Sequence, residues 1–217
     1  MNHLKNGLLF DREIQEDAKE ICGIDEVGRG ALAGPVVVGC VYFSPPSLDY
    51  DFLSDIDDSK SITPGKRIEL FEKMKKGKGI YWTIGKASND EIDRDGIVNS
   101  ANRAAERAVK KLSETPIDLK IILADAGLSP KLDVDVREIE KGDSKSLHIA
   151  SASIMAKVYR DRLMVKKNED YPGYGWGSNF GYGTEEHRNA IQNLGLTSFH
   201  RESFCRNIFA KPVDKLL

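Results

Sequence analysis

The amino-acid sequence predicts an α/β fold: a mixed sheet of five strands flanked by helices, with a helical C-terminal addition. Three observations predict it. Two apolar, β-branched runs, 21–27 and 35–43, flank a turn containing Gly28 and Gly30, as in an antiparallel hairpin. The short run Ile121-Ile122-Leu123 leads to Asp125, the pattern of a buried parallel strand with a carboxylate at its C-terminal end. Helix and strand periodicities alternate through the remainder.

Taken in order, residues 12–20 are polar and charged and predict a short exposed helix. Residues 21–27 form the first strand. Residues 35–43 form the second, with Val36-Val37-Val38 and Val41-Tyr42-Phe43 suited to a central position. Residues 44–58 are a loop rich in Pro, Asp and Ser. Thr63-Pro64 opens a helix, with Thr as N-cap and Pro at the first helical position. Residues 79–87 alternate and are aromatic, a third strand. Residues 90–112 are helical in two pieces broken near Gly96, with Val98, Ala101, Ala105, Ala108 or Val109, and Leu112 at helical spacing. The fourth strand spans 119–124 before Asp125, and the fifth spans 134–139. Asp143 or Ser144 caps a long helix to about residue 166. Residues 171–183 are an aromatic, glycine-rich loop in which Tyr171, Tyr174 and Trp176 pack together. Thr184 caps a helix that Gly195 ends, and 198–210 predicts another.

At 217 residues and 40% hydrophobic content, one sizeable core suffices. The expected organisation is a single domain, 1–217, with an N-terminal extension to about 20 and a C-terminal helical subdomain from about 168. A formal net charge of −2 excludes a generic polybasic nucleic-acid binder, though not a local basic groove. Cys22, Cys40 and Cys205 are far apart and odd in number, so neither a zinc site nor a disulfide framework is expected. A reduced, cytoplasmic setting is the simplest expectation. Residues 1–10 lack a signal peptide's apolar run, and no stretch approaches the roughly 20 apolar residues of a membrane helix.

The chain is organised around residues 21–35. There an apolar strand runs into Asp25-Glu26, and Gly28-Arg29-Gly30 follows. Two carboxylates at the end of a buried strand are costly, since each loses water and repels the other. A hard divalent cation such as Mg2+ relieves both penalties. Bare glycine N–H groups beside a guanidinium fork suit phosphate. Asp25, Glu26, Asp125 and Asp143 can be brought together at strand ends, where ligands of such sheets gather. Hydrolysis of phosphodiesters with two metal ions needs this kind of carboxylate cage. Singly, each acid has a plainer reading: a solvated turn, a strand-end Asp, a helix N-cap. Adjacent strand residues point to opposite faces, so Asp25 and Glu26 share an ion only if the strand breaks at Glu26. His148, His187 and His200 have no ligand spacing and read as surface or cap residues.

The run 23–30 followed by Leu32-Ala33-Gly34-Pro35-Val36-Val37 closely resembles the signature of ribonuclease HII. The resemblance continues through Asp58-Ser59-Lys60, Lys141-Gly142-Asp143-Ser144 and 151–161. It extends to Gly181-Tyr182-Gly183-Thr184 with His187, and to 200–204. It implies a ribonuclease H-like fold. It also implies endonucleolytic cleavage of the RNA strand of RNA–DNA hybrids and nicking 5′ of single ribonucleotides in duplex DNA. The implied products carry a 3′-hydroxyl and a 5′-phosphate, and the implied cofactor is Mn2+ or Mg2+. By motif position, Asp25, Glu26, Asp125 and Asp143 match the family's catalytic and metal-binding acids. Gly28, Arg29 and Gly30 match its sensor of the 2′-hydroxyl, and Tyr182 matches the tyrosine that stacks on the next sugar. The expected partner is nucleic acid, the expected state a monomer, with no membrane. Ala31 stands where the family usually has Pro, and Asp125-Ala126-Gly127 replaces a common Asp-Gly-Asn.

Overall fold

The fold follows from a hairpin that acquires a strand on each side. The computed structural model describes residues 3–15, 20–56 and 62–209. Strands β1 (Ile21–Val27) and β2 (Val36–Phe43) pair antiparallel, from Cys22↔Tyr42 to Val27↔Val37. Strand β3 (Ile80–Ala87) adds antiparallel to β2. Strand β4 (Ile121–Asp125) joins the free edge of β1 in parallel, and β5 (Asp135–Ile139) pairs parallel with β4. The sheet order is therefore β3-β2-β1-β4-β5.

The period of two sorts the side chains onto two faces. On one face Cys22, Ile24, Val38, Cys40 and Ala124 meet the alanine stripe of α4 (Ile97–Leu112). On the other, Val37, Val41 and Phe43 meet α2 (Pro64–Lys76) and α5 (Leu147–Asp170). Both main helices sit close because glycines on the sheet admit their backbones. A Cβ on Gly85 would lie 1.8 Å from the Ala104 carbonyl oxygen, and one on Gly23 only 2.2 Å from the carbonyl carbon of His148. Helix α5 is thereby pressed onto β1, the strand that carries Asp25.

The expected punctuation is present. Thr63 caps α2, its hydroxyl accepting from Lys66 N–H at 3.3 Å. Gly96, at φ 78°, separates α3 (Asn89–Asp95) from α4. Thr184 caps α7 (Glu185–Leu194), and Gly195 ends it. The aromatic loop packs on itself as expected, Tyr174 and Trp176 stacking at 5.5 Å, around a one-turn helix α6 (Trp176–Asn179). The three cysteines are free and buried.

Several expectations are corrected. Strand β1 does not break at Glu26, because its ladder with β2 continues through Glu26↔Val38. Helix α5 is capped by Ser146, whose hydroxyl accepts from Ile149 N–H at 3.2 Å, and not by Asp143 or Ser144. Those two residues form a separate 3-10 turn, Gly142–Ser144. His148, His187 and His200 are buried rather than on the surface. Val98 is half exposed, and among the described residues of the tail, to 209, the helical parts are α8 (Glu202–Cys205) and a 3-10 turn. The N-terminal helix α1 (His3–Gln15) starts earlier than expected and buries Asp11 against His148, with 2.8 Å between Oδ2 and Nδ1. Residues 58–60 lie outside the described residues. Among the described residues no helix is long and apolar enough to cross a membrane.

Gly23→Ala forces α5 away from β1. A loss of about 1–3 kcal/mol in urea unfolding, or more, is expected from such overpacking.

Candidate active site

Parallel pairing sets the central geometry. Ile24 pairs with Ala124, so the next residues, Asp25 and Asp125, stand at equal height on neighbouring strands. Adjacent strands lie about 4.8 Å apart, and by alternation both side chains point towards α5. Ser153 of α5 hydrogen-bonds Asp25, whose Oδ1 also accepts Glu26 N–H at 2.8 Å. Asp125 Oδ1 accepts Gly142 N–H at 2.7 Å.

Glu26 points to the other face yet reaches the same cavity, because the β1–β4 ladder stops at Ile24 and leaves an open fork. Its Oε1 meets Arg29 Nη1 at 3.1 Å. Its buried Oε2 finds no hydrogen-bond partner among the described residues. No strand break is required; the end of the sheet does the same work.

Burial pushes the Asp25 carboxyl well above its ordinary range, with the charges of Glu26 and Asp125 adding and the Ser153 bond opposing. Burial also raises Glu26, against the Arg29 guanidinium. A set of oxygen ligands of net negative charge, one of them without a partner among the described residues, fits a hard divalent cation. As they lie, no three His, Cys, Asp or Glu side chains among the described residues are gathered closely enough to hold an ion.

The cavity holds about 370 Å³. Asp25, Glu26, Asp125, Gly28, Arg29, Gly30 and Tyr182 all line it, so the sheet fork and the helical C-terminal region meet there. Asp143 does not line it. It is buried in the turn whose Gly142 N–H docks on Asp125, one residue away from the group it was expected to join.

The Gly-Arg-Gly loop is held from behind by two buried arginines. Arg160 donates to the carbonyls of Pro35 (3.0 Å), Ala33 (3.0 Å) and Phe180 (2.8 Å). Arg201 donates to Gly34 (2.9 Å) and Arg29 (3.0 Å). Burial, and then the Arg160 charge, lower Arg201 to about 9. Gly28, at φ 88°, leaves room that Arg160 fills: a Cβ there would meet its Nε at 2.1 Å. Short bridges Ala31↔Tyr182 and Ala33↔His200 tie the loop to the tyrosine turn. The Tyr182 ring lies 5.3 Å from the Arg160 guanidinium and 5.6 Å from Lys157 Nζ.

Sequence reasoning missed Ser153, Lys157 and Arg67, which also line the cavity, and the two buried arginines. Ser153, Lys157 and Arg160 fall on one stripe of α5 at spacings of four and three, a signal that was available. Arg201 lies in the 200–204 motif, but nothing local marks its role, and nothing local distinguishes Arg67.

The sheet order and its flanking helices define a ribonuclease H-like fold. The ribonuclease HII family model matches residues 22–207. The ribonuclease HII of Clostridioides difficile is 44% identical over 87% of this chain and 71% of its own length. That of Ruegeria pomeroyi is 42% identical over 91% and 78%. Among solved structures, the ribonuclease HII of Archaeoglobus fulgidus, determined in complex with PCNA, superposes with a TM-score of 0.70. It is 26% identical and covers 89% of this chain and 98% of that one. This chain belongs to the ribonuclease HII family, and is thus an endoribonuclease acting on RNA in hybrids.

The carboxyl environment makes a prediction about stability. A folded-state carboxyl raised above its unfolded value favours folding least once the pH exceeds both values. Asp25→Asn is therefore expected to raise the melting temperature of the metal-free protein at pH 7. At pH 3, where Asp25 is protonated in the folded state, the gain should vanish. A gain equal at both pH values would assign it to packing.

Proposed function

We propose that the protein nicks duplex DNA on the 5′ side of a single embedded ribonucleotide, besides cleaving the RNA of hybrids. The products would be a 3′-hydroxyl and a 5′-phosphate. The observation that carries this reading is the convergence, in one cavity, of Asp25, Glu26 and Asp125 with Gly28-Arg29-Gly30 and Tyr182.

Asp25, Glu26 and Asp125 would hold Mg2+ or Mn2+, with Asp143 joining from the adjoining turn. When bound, two such ions activate the attacking water and neutralise the leaving oxygen. The chain itself does the rest. Ser153 fixes the Asp25 carboxylate. Arg67 and Lys157 bring positive charge to the same wall and draw the scissile phosphate inward.

Telling RNA from DNA requires contact with the 2′-hydroxyl. Gly30 supports this role, since nothing lies within 4 Å of the place its Cβ would occupy and a sugar can approach the backbone there. The Arg201 bond to the Arg29 carbonyl fixes the loop's orientation before substrate arrives. A Tyr182 face against the next sugar would accept deoxyribose and be obstructed by an added hydroxyl.

The test is a DNA duplex carrying one ribonucleotide, incubated with Mg2+ or Mn2+. One nick 5′ of the ribonucleotide, with an uncut all-DNA control, is expected; no nick with either metal refutes the reading. Asp25→Asn should abolish the nick and keep substrate binding within a few fold, as loss of a purely chemical group does. Arg29→Ala should narrow the preference for the ribonucleotide-bearing duplex over a uniform hybrid, read as a ratio of kcat/KM.

A further inference from the structure

Behind the Tyr182 turn lies a buried pair of histidines that neither the carboxylates nor the sensor loop uses. His187 and His200 are both essentially inaccessible, and their Nε2 atoms lie 3.1 Å apart. The donors around them fix the protons. Thr197 N–H donates to His200 Nδ1 at 2.9 Å, so His200 carries its proton on Nε2. That proton points at His187 Nε2, which also accepts Trp176 Nε1–H at 3.0 Å. With Nε2 accepting twice, His187 carries its proton on Nδ1. It donates that proton to the Tyr182 carbonyl at 2.9 Å.

We propose that His187 is a positioning residue for Tyr182, held in the required tautomer by Trp176 and His200. The same turn is fixed from other sides. Tyr182 N–H donates to the Asn179 carbonyl and Thr184 N–H to the Tyr182 carbonyl, each at 2.9 Å. Tyr182 bridges to Ala31, and His200 bridges to Ala33. One histidine pair thus links the tyrosine turn to the loop that begins at Gly28. Burial lowers both rings, His200 to about 4, so both stay neutral at physiological pH and the proton direction persists. A buried side chain that only filled space would not need each ring nitrogen matched to a partner of the opposite kind.

The inference rests on the reading of Tyr182 as the residue that stacks on the sugar, and the experiment separates the two. His187→Gln retains a polar atom near Nε2 and loses the donor to the Tyr182 carbonyl. His187→Asn retains a donor near Nδ1. Wild type, both variants and Tyr182→Ala are compared on a duplex with one ribonucleotide and on a uniform RNA–DNA hybrid, with kcat and KM resolved and melting followed in parallel. The expected result is that His187→Gln loses substrate preference to within roughly threefold of Tyr182→Ala, mainly through KM, while His187→Asn keeps at least about half of it. Preference retained in His187→Gln but lost in Tyr182→Ala overturns the positioning role alone. Preference retained in Tyr182→Ala overturns the reading of Tyr182 on which it rests. Should His187→Gln not melt cooperatively, His200→Asn takes its place: it keeps an acceptor for Thr197 and removes the donor to His187. A loss of preference there supports the proposal, and unchanged preference overturns it.

Discussion

The structure depends on one placement: Asp25 and Asp125 at the same height on adjacent parallel strands. A buried carboxylate, Asp25, beside a half-buried one, Asp125, opposes folding through desolvation and mutual repulsion. The surroundings are arranged so that this placement survives. Ser153, Gly142 N–H and Arg29 each satisfy one oxygen of the group, and Glu26 Oε2 has no partner among the described residues. Close seating of α5 at Gly23 and Gly39 brings Ser153 to the carboxylate. The α5 stripe of Ser153, Lys157 and Arg160 then serves the acids, the cationic wall and the loop clamp in succession.

The second constraint is that the loop after β1 must hold its shape without its own secondary structure. From Ala31 to Pro35 it runs through the interior, where unpaired carbonyls are costly. Arg160 and Arg201 supply four of the needed donors, and Arg160 gives a fifth to Phe180 in the tyrosine turn's approach. Each arginine comes from a different part of the chain, one from α5 and one from just before α8. The sheet and the C-terminal helices therefore meet at this loop, and Tyr182 is carried to the rim of the cavity by the same junction.

Much of this was legible in the sequence because local chemistry announces it. The five strands, the break at Gly96 and the caps at Thr63 and Thr184 follow from alternation, glycine and N-cap preferences acting within a few residues. The start of the long helix differs from the expectation because Asp143, Ser144 and Ser146 are all competent caps, and only packing chooses among them. The expected break at Glu26 failed for a different reason. Adjacent strand residues were assumed to need one face, whereas a strand that outlasts its neighbour lets both faces reach one cavity. The histidines were read as surface groups because their partners, Asp11, Trp176 and Tyr182, are brought to them only by tertiary structure. Arg201 falls in the 200–204 motif, but nothing local marks it as a buried clamp, because the carbonyls it meets lie 167 and 172 residues away in the chain.

On the proposed function, the Asp25–Asp125 placement takes a divalent cation. A ligand that binds only the folded state raises the melting temperature in proportion to its occupancy. The direct measurement is the melting temperature of wild type and Asp125→Asn as Mn2+ is titrated at neutral pH and fixed ionic strength. A saturable rise in the wild type that is lost or shifted to much higher Mn2+ in the variant is the result expected. An identical rise in both proteins would mean that the cation binds elsewhere, and would contradict the account.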